Sequence, residues 1–389
     1  MHDDQIVHTI FLIFSGAAVV ATLALYARQA LLIAYILLGV LMGPSAIGLV
    51  GDPEVVQDIA HVGIMFLLFL MGLELNPHEL LNLLRKTTWV TLLSSLIFWL
   101  VGALIALGSG LQGWESALVG AAMLFSSTII GLKLLPTTIL HHQRTGEIII
   151  SILLLQDLIA ILLLLVIEGS GEQSQALMEV GKLVVALPLL IMAAMLLVRF
   201  LLLRFLRDFD TIHEYIFLLS IGWCLGVAEA AKALGLSSEI GAFIAGVTLA
   251  TNPIALYMAE NLKPLRDFFL VMFFFSLGAG FDLSMLAAVI LPSLILVGAM
   301  MLLKPWVFRM LLVRLGEEPS RSAEIGMRLG QMSEFSLLIA VLAFEQGLLS
   351  ITASYLIQLA TVLSFLLSTY LVVSRYPTPI ALSDKLRRN

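Results

Sequence analysis

Apolar residues fill this chain in blocks of roughly 20, the length a helix needs to cross a bilayer, separated by short stretches of Gly, Pro and charge. Thirteen blocks follow one another, at about 6–25, 30–50, 56–75, 86–108, 116–140, 147–168, 179–205, 213–233, 236–251, 264–281, 284–309, 322–346 and 351–374. The pattern predicts an all-α polytopic membrane protein with 13 transmembrane helices.

Two blocks carry polar breaks. The fifth contains Ser126-Ser127-Thr128, Gly131, Lys133 and Pro136, and the twelfth contains Gly330-Gln331-Met332-Ser333-Glu334. A repeat relates them. At an offset of about 207, Ala34-Tyr35-Ile36 ahead of Gly39-Val40 returns as Ala242-Phe243-Ile244 ahead of Gly246-Val247, and Met65 to Leu75 returns as Met272 to Leu283. The matched blocks stand seven apart, and an odd shift turns the second copy over in the membrane, so the repeats are inverted. The same offset carries Ser126 onto Ser333. Matched interruptions in inverted repeats predict two crossed discontinuous helices with a binding site near the midplane.

Composition agrees: the 389 residues are 60% hydrophobic and 12% charged, whereas soluble domains carry about 25% charged residues. The net charge of −6 forms no stripe suited to nucleic acid. Positive charge sets the orientation. Arg28, Arg85, Lys86, Arg144, Arg199, Arg204, Arg207, Lys263, Arg266, Arg309, Arg314, Arg321, Arg375, Lys385, Arg387 and Arg388 follow odd-numbered blocks, and only Lys182 and Lys232 lie in the opposite loops. The N-terminus is therefore expected outside and the C-terminus in the cytoplasm of a multi-pass protein of the inner or plasma membrane. Met1 to Gln5 carries two Asp and no basic residue, and no cleavage site follows the first block, so no removable signal peptide is expected. The single cysteine, Cys224, reads as a packing residue.

Gln156-Asp157 stands in a block that is otherwise almost wholly apolar. A carboxylate near a bilayer centre costs about 2.5–3.5 kcal/mol on insertion scales and marks ion or proton pathways. Asp157 is the candidate cation and proton site, for potassium or sodium; the alternative is a carboxylate that only ties helices together. Ser127 and Thr128 either add oxygen ligands or bond back to the preceding turn. Proton and cation would compete for one carboxylate. If only the neutralised site crosses, one cation is traded for one proton without net charge.

The remaining polar residues of the blocks admit two readings each. Lys304 either snorkels to the interface or provides a counter-charge for Asp157 or a helix C-terminus, with Pro305 shaping its helix. Glu334, beside Gln331 and Ser333, either offsets half-helix dipoles or joins the ion path. Lys133 either neutralises half-helix carbonyls or stands in a water funnel. Arg328, four residues after Glu324, fits an ordinary helix ion pair. The seven histidines, among them His61, His78, His141 and His142, lie near block ends. No metal-ligand spacing, phosphate loop or nucleophile triad is present, so neither an enzyme nor a resident cofactor is expected.

Gly39 to Pro44 (GVLMGP), Gly63 to Leu75 (GIMFLLFLMGLEL), Ser127 to Leu134 (STIIGLKL), Gln156-Asp157, Gly235 to Ala250 (GLSSEIGAFIAGVTLA), Pro264 to Asp282 and Gly330 to Phe335 (GQMSEF) form an ordered set over almost the whole chain. The set resembles the monovalent cation:proton antiporter-2 family, and within it the Kef-type potassium efflux systems. The resemblance implies a sodium/proton antiporter-like fold and a homodimer in membrane lipid. It divides one transmembrane transporter domain, 1–389, into a mobile core (about 86–168 and 284–374) and a dimerisation scaffold (about 1–75 and 179–281), with elevator-like alternating access. It makes Asp157 the cation ligand, with Gln156 and Thr128 assisting, and matches Lys304 to the family's lysine. Members with two adjacent Asp resemble electrogenic sodium exchangers, and the Gln-Asp pair resembles the potassium:proton branch.

Two departures stand out. Kef systems usually continue into a nucleotide-binding regulatory domain, and this chain ends at Asn389 with a short basic tail, leaving a separate regulatory domain or subunit as a partner. The second break reads Gln331-Met332-Ser333-Glu334 where the family often has two glycines between Gln and Glu. Rival readings are a sodium/proton antiporter, a potassium channel-like efflux protein, a sodium-driven symporter and a non-transporting sensor.

Overall fold

The computed structural model describes residues 2–50, 53–74, 77–133, 144–168, 176–208, 212–236, 238–250, 252 and 254–378. Among them every regular element is helical: α1 (His2–Tyr26), α2 (Leu31–Met42), α3 (Pro53–Glu74), α4 (Pro77–Gly108), α5 (Gly113–Ala122), α6 (Thr128–Lys133), α7 (Arg144–Glu168) and α8 (Ala176–Leu197), then α9 (His213–Ala233), α10 (Ser238–Ala250), α11 (Ile254–Ala279), α12 (Leu286–Arg314), α13 (Pro319–Arg328), α14 (Glu334–Glu345) and α15 (Ile351–Arg375). A π turn at Val198–Leu202 carries α8 on into Leu203–Asp208. Taking α5 with α6 and α13 with α14 as broken spans gives the thirteen expected segments. Among the described residues, seven helices are long and apolar enough to cross a membrane.

The repeat is visible in the helix boundaries. Moving α7 by 207 positions covers α15 residue for residue, and moving α2 covers α10 to within its last residue. Helix α8 is the connector between the copies. One boundary differs from expectation. The sequence pattern starts the tenth block at Pro264, yet α11 begins ten residues earlier and runs through it. The carbonyl that proline leaves without a donor is that of Glu260, an exposed residue where water can serve it.

The chain forms two compact units, one of Met1–Ala17, Tyr35–Leu81 and Glu172–Gly280, the other of Ala18–Ala34, Asn82–Gly171 and Phe281–Asn389. Lipid tails are as apolar as leucine, so helices associate in a membrane by close van der Waals approach, which small residues permit. In the first unit this happens twice, at repeat-related places. A Cβ on Gly246 of α10 would lie 2.8 Å from Gly72 Cα of α3, and one on Gly39 of α2 would lie 3.0 Å from Gly278 Cα of α11. In both crossings the same hypothetical atom overlaps a facing carbonyl oxygen, that of Phe69 or Phe275. The rings of Phe66 of α3 and Phe269 of α11 stack with centroids 5.3 Å apart.

Both broken spans among the described residues, α5 with α6 and α13 with α14, lie in the second unit. Helix α5 lies on α4, where a Cβ at Gly120 would stand 2.5 Å from the Trp99 carbonyl and where the Trp99 indole donates to Ala117 O at 3.0 Å. Helix α13 is pressed against α12 at Pro305, whose carbonyl would be 2.6 Å from a Cβ on Gly326.

Candidate ion-binding site

Helix α5 stops at Ala122 and α6 starts at Thr128; α13 stops at Arg328 and α14 starts at Glu334. Each break frees backbone groups that lipid cannot satisfy. Side chains from α7 and α15 meet them. The Gln156 amide works with both ends: Oε1 accepts from Ser126 N at 3.0 Å and Nε2 donates to Leu124 O at 3.1 Å. On the other break, Met332 N donates to Ser364 Oγ at 3.0 Å, and Ser368 Oγ donates to Gln331 Oε1 at 2.9 Å. The breaks also join directly. Ser126 Oγ donates to Leu329 O at 2.8 Å and Ser336 Oγ to Ala122 O at 2.6 Å.

The ends of the half-helices carry partial charge, about −0.5 at each C-terminus and +0.5 at each N-terminus. Lys304 lies on the side of the C-termini. Its side chain is fully buried, and Nζ donates to Phe125 O and, at 2.9 Å, to Gln331 O, one carbonyl from each break. The Phe98 ring closes over the ammonium at 5.4 Å. The ammonium is thus buried among backbone carbonyls of the two breaks. Glu334 lies on the side of the N-termini, as the first residue of α14, where it accepts from Ser127 Oγ. One basic and one acidic side chain thus face the half-helix ends of opposite polarity.

Asp157, 4% exposed, follows Gln156 on α7. Its carboxylate faces the start of α6, where the Thr128 hydroxyl lies 3.4 Å from Oδ1 and 3.3 Å from Oδ2. Thr128 therefore reaches Asp157, and Ser127 turns the other way, to Glu334 and to Ile130 N at 3.0 Å. Gln331 and Ser333 are fully buried within the second break. The repeat equivalent of Asp157 is Ser364, so only one of the two copies carries the carboxylate.

Lys133 ends α6, and its side chain lies outside the described residues, as do Pro136, His141 and His142. Arg328 makes the expected pair with Glu324, at 2.8 Å. It also donates to Pro377 O at 2.9 Å and lies 5.6 Å from the Tyr376 ring, contacts without any local sequence signal. Ser336, Ser364 and Ser368 were missed as parts of the breaks; applying the offset to Asp157 would have found Ser364.

Two crossed broken helices with a buried carboxylate at their meeting, in a bundle of thirteen segments, define a polytopic ion-transporter fold. Residues 11–373 match the family described as sodium/hydrogen exchanger, transmembrane, and the chain belongs to that family. Its fold is similar to that of the sodium proton antiporter MjNhaP1 from Methanocaldococcus jannaschii, with a TM-score of 0.64 over 95% of this chain and 96% of that one. At 16% identity the likeness speaks for the fold alone. In sequence the chain is 29% identical to K(+) efflux antiporter 6 of Arabidopsis thaliana over 372 residues, 93% of this chain and 62% of that protein. It is 28% identical to the iron transporter MagA of Paramagnetospirillum magneticum over 352 residues, 88% of this chain and 79% of that protein. The chain therefore spans less than two thirds of the length of the first of these relatives.

Proposed function

We propose that this protein exchanges a monovalent cation for a proton, and that the cation is potassium. The observation that carries the reading is the Asp157 carboxylate, buried in α7 against the first residue of a half-helix inside the bilayer span. A single carboxylate can hold a proton or a cation but not both, so the two ligands exclude one another. Lys304 and Glu334 offset the half-helix ends, which leaves Asp157 and its cargo to set the charge of the crossing. One carboxylate alternating between proton and cation gives electroneutral exchange.

Potassium is supported by the Gln156-Asp157 pair and by the name of the plant relative. Thr128 contributes an oxygen to the cation. Gln156, Ser127, Ser333 and Gln331 act on the shape and charge of the breaks. The unit that holds Asp157 is the body that carries the loaded site across, and the other unit is the scaffold of a homodimer in membrane lipid. The transported ions are cargo, and the reading needs no resident cofactor and no enzymatic step. The excess of Lys and Arg after odd-numbered spans puts the N-terminus outside and the C-terminus in the cytoplasm.

The test is proton flux in proteoliposomes with a preset pH gradient, on adding potassium, sodium or choline with the membrane potential shunted. Potassium-dependent dissipation, lost in Asp157→Asn, is the expected result. Cation flux without coupled proton movement would sink the reading in favour of a channel, and a sodium response alone would change the ion.

A further inference from the structure

The hydroxyls of Ser127 and Ser333 each cap a half-helix. Ser127 Oγ accepts from Ile130 N at 3.0 Å at the start of α6, and Ser333 Oγ accepts from Phe335 N at 3.2 Å at the start of α14. A serine hydroxyl has a single proton to give. Both serines direct it to the Glu334 carboxylate, Ser127 to Oε1 and Ser333, at 3.4 Å, to Oε2. The carboxylate thereby turns the lone pairs of both caps toward their own helices and ties the two N-termini together. Glu334 is 6% exposed and Ser127 and Ser333 are fully buried, so water does not substitute readily for these bonds.

The tie reaches the cation site in one step. Thr128, the residue after the Ser127 cap, holds its hydroxyl 3.3 Å and 3.4 Å from the two Asp157 oxygens. A rotation of the first turn of α6 that freed Ser127 would carry Thr128 off Asp157.

We propose that Glu334 is a positioning residue for cation binding, acting through the Ser127 hydroxyl to hold Thr128 against the Asp157 carboxylate. The proposal rests on the antiport reading. In this role Glu334 acts on Thr128 rather than on the cation itself, so its loss weakens the loaded state and leaves the passage of the loaded site unchanged. The signature is a change in KM for the cation with little change in kcat. In Glu334→Gln the side-chain amide has one acceptor oxygen where two serine hydroxyls need one each, whereas Glu334→Asp keeps both acceptors and the charge at shorter reach.

The experiment measures cation-dependent proton flux against cation concentration for the wild type, Glu334→Gln, Glu334→Asp, Ser127→Ala and the double variant Glu334→Gln/Ser127→Ala. Thermal midpoints and size-exclusion profiles confirm that each variant folds. Expected are a KM raised about tenfold in Glu334→Gln and in Ser127→Ala with kcat within about twofold. A smaller rise in Glu334→Asp and a double variant no worse than the poorer single variant complete the expectation. An unchanged KM in Glu334→Gln, a loss confined to kcat, or additive effects in the double variant would overturn the proposal while the antiport reading stood. Absence of cation-coupled flux in the wild type would overturn both.

Discussion

Ser127 and Glu334 share a buried hydrogen bond across 207 positions of chain, and 207 is the offset at which the two halves of the molecule repeat. Residues that correspond under the inverted repeat therefore touch at the place where the broken helices cross. The same symmetry leaves room for difference. Asp157 in one copy answers to Ser364 in the other, and Lys304 answers to Ile97, so each ionisable side chain has a non-ionisable counterpart.

Replacing Lys304 tests whether the ammonium braces the crossing. Lys304→Met keeps length and apolar bulk but leaves Phe125 O and Gln331 O without their donor. A buried group left unsatisfied costs about 1–3 kcal/mol. At roughly 2–4 °C per kcal/mol for a protein above 150 residues, the thermal midpoint in detergent is expected to fall by more than about 4 °C. A midpoint unchanged from wild type would remove Lys304 from the structural account.

Gln156 bears on the break in α5 through both ends of its amide. Gln156→Glu keeps the acceptor for Ser126 N and loses the donor to Leu124 O, so a carboxylate oxygen is brought up to a carbonyl oxygen. The expected outcome is a lower midpoint and weaker exchange, with no gain of a second charge per cycle. Measuring the potential generated during exchange separates the cases: an electrogenic, stable Gln156→Glu would show that position 156 is free to act as a second ion site.

The glycine crossings predict opposite signs for one substitution. Gly246→Ala brings a Cβ to 2.8 Å from Gly72 Cα and into the Phe69 carbonyl, so helices α10 and α3 must part. At Gly222, in α9, nothing lies within 4 Å of a Cβ. There the same change removes backbone freedom from the unfolded chain and favours the helix by up to about 1 kcal/mol. Midpoints measured side by side should fall for Gly246→Ala and hold or rise for Gly222→Ala.

Much of this architecture was legible because a bilayer demands long apolar helices, and because a duplicated sequence marks its equivalent positions. The thirteen segments and the two breaks follow from those two constraints, whereas Thr128 assisting at Asp157 was implied by the family resemblance alone. The roles of Lys304 and Glu334 were left open for a physical reason. Each acts on backbone groups or a hydroxyl far away in sequence, Lys304 179 positions from Phe125 and Glu334 207 from Ser127, and backbone carbonyls leave no trace in side-chain pattern. Pro264 shows the reverse. A residue that normally ends a helix is carried inside α11 because its neighbours there are polar and exposed.

Arg144, at the start of α7, grips Glu317, which lies between α12 and α13 outside the membrane-spanning segments. Arg144 Nε donates to Glu317 Oε1 at 2.8 Å and to Oε2 at 3.1 Å, and Arg321 adds a bond at 3.3 Å. The hydrogen bond from Arg144 is the main force holding the Glu317 carboxyl below its ordinary value; burial opposes it, and the charge of Arg144 and the contact with Arg321 reinforce it. A carboxyl whose folded value is depressed contributes stability that is present above the unfolded value, about 4.3, and disappears as pH falls through the folded value. Glu317→Gln removes that contribution at every pH. The midpoint of the variant should therefore lie below the wild type at pH 7, and the gap should close as both are titrated below about pH 4. Arg144 is half exposed, so added salt should narrow the neutral-pH gap as well. A gap that stayed constant from pH 7 to pH 3 would show that Glu317 holds the two ends by packing and not by its charge.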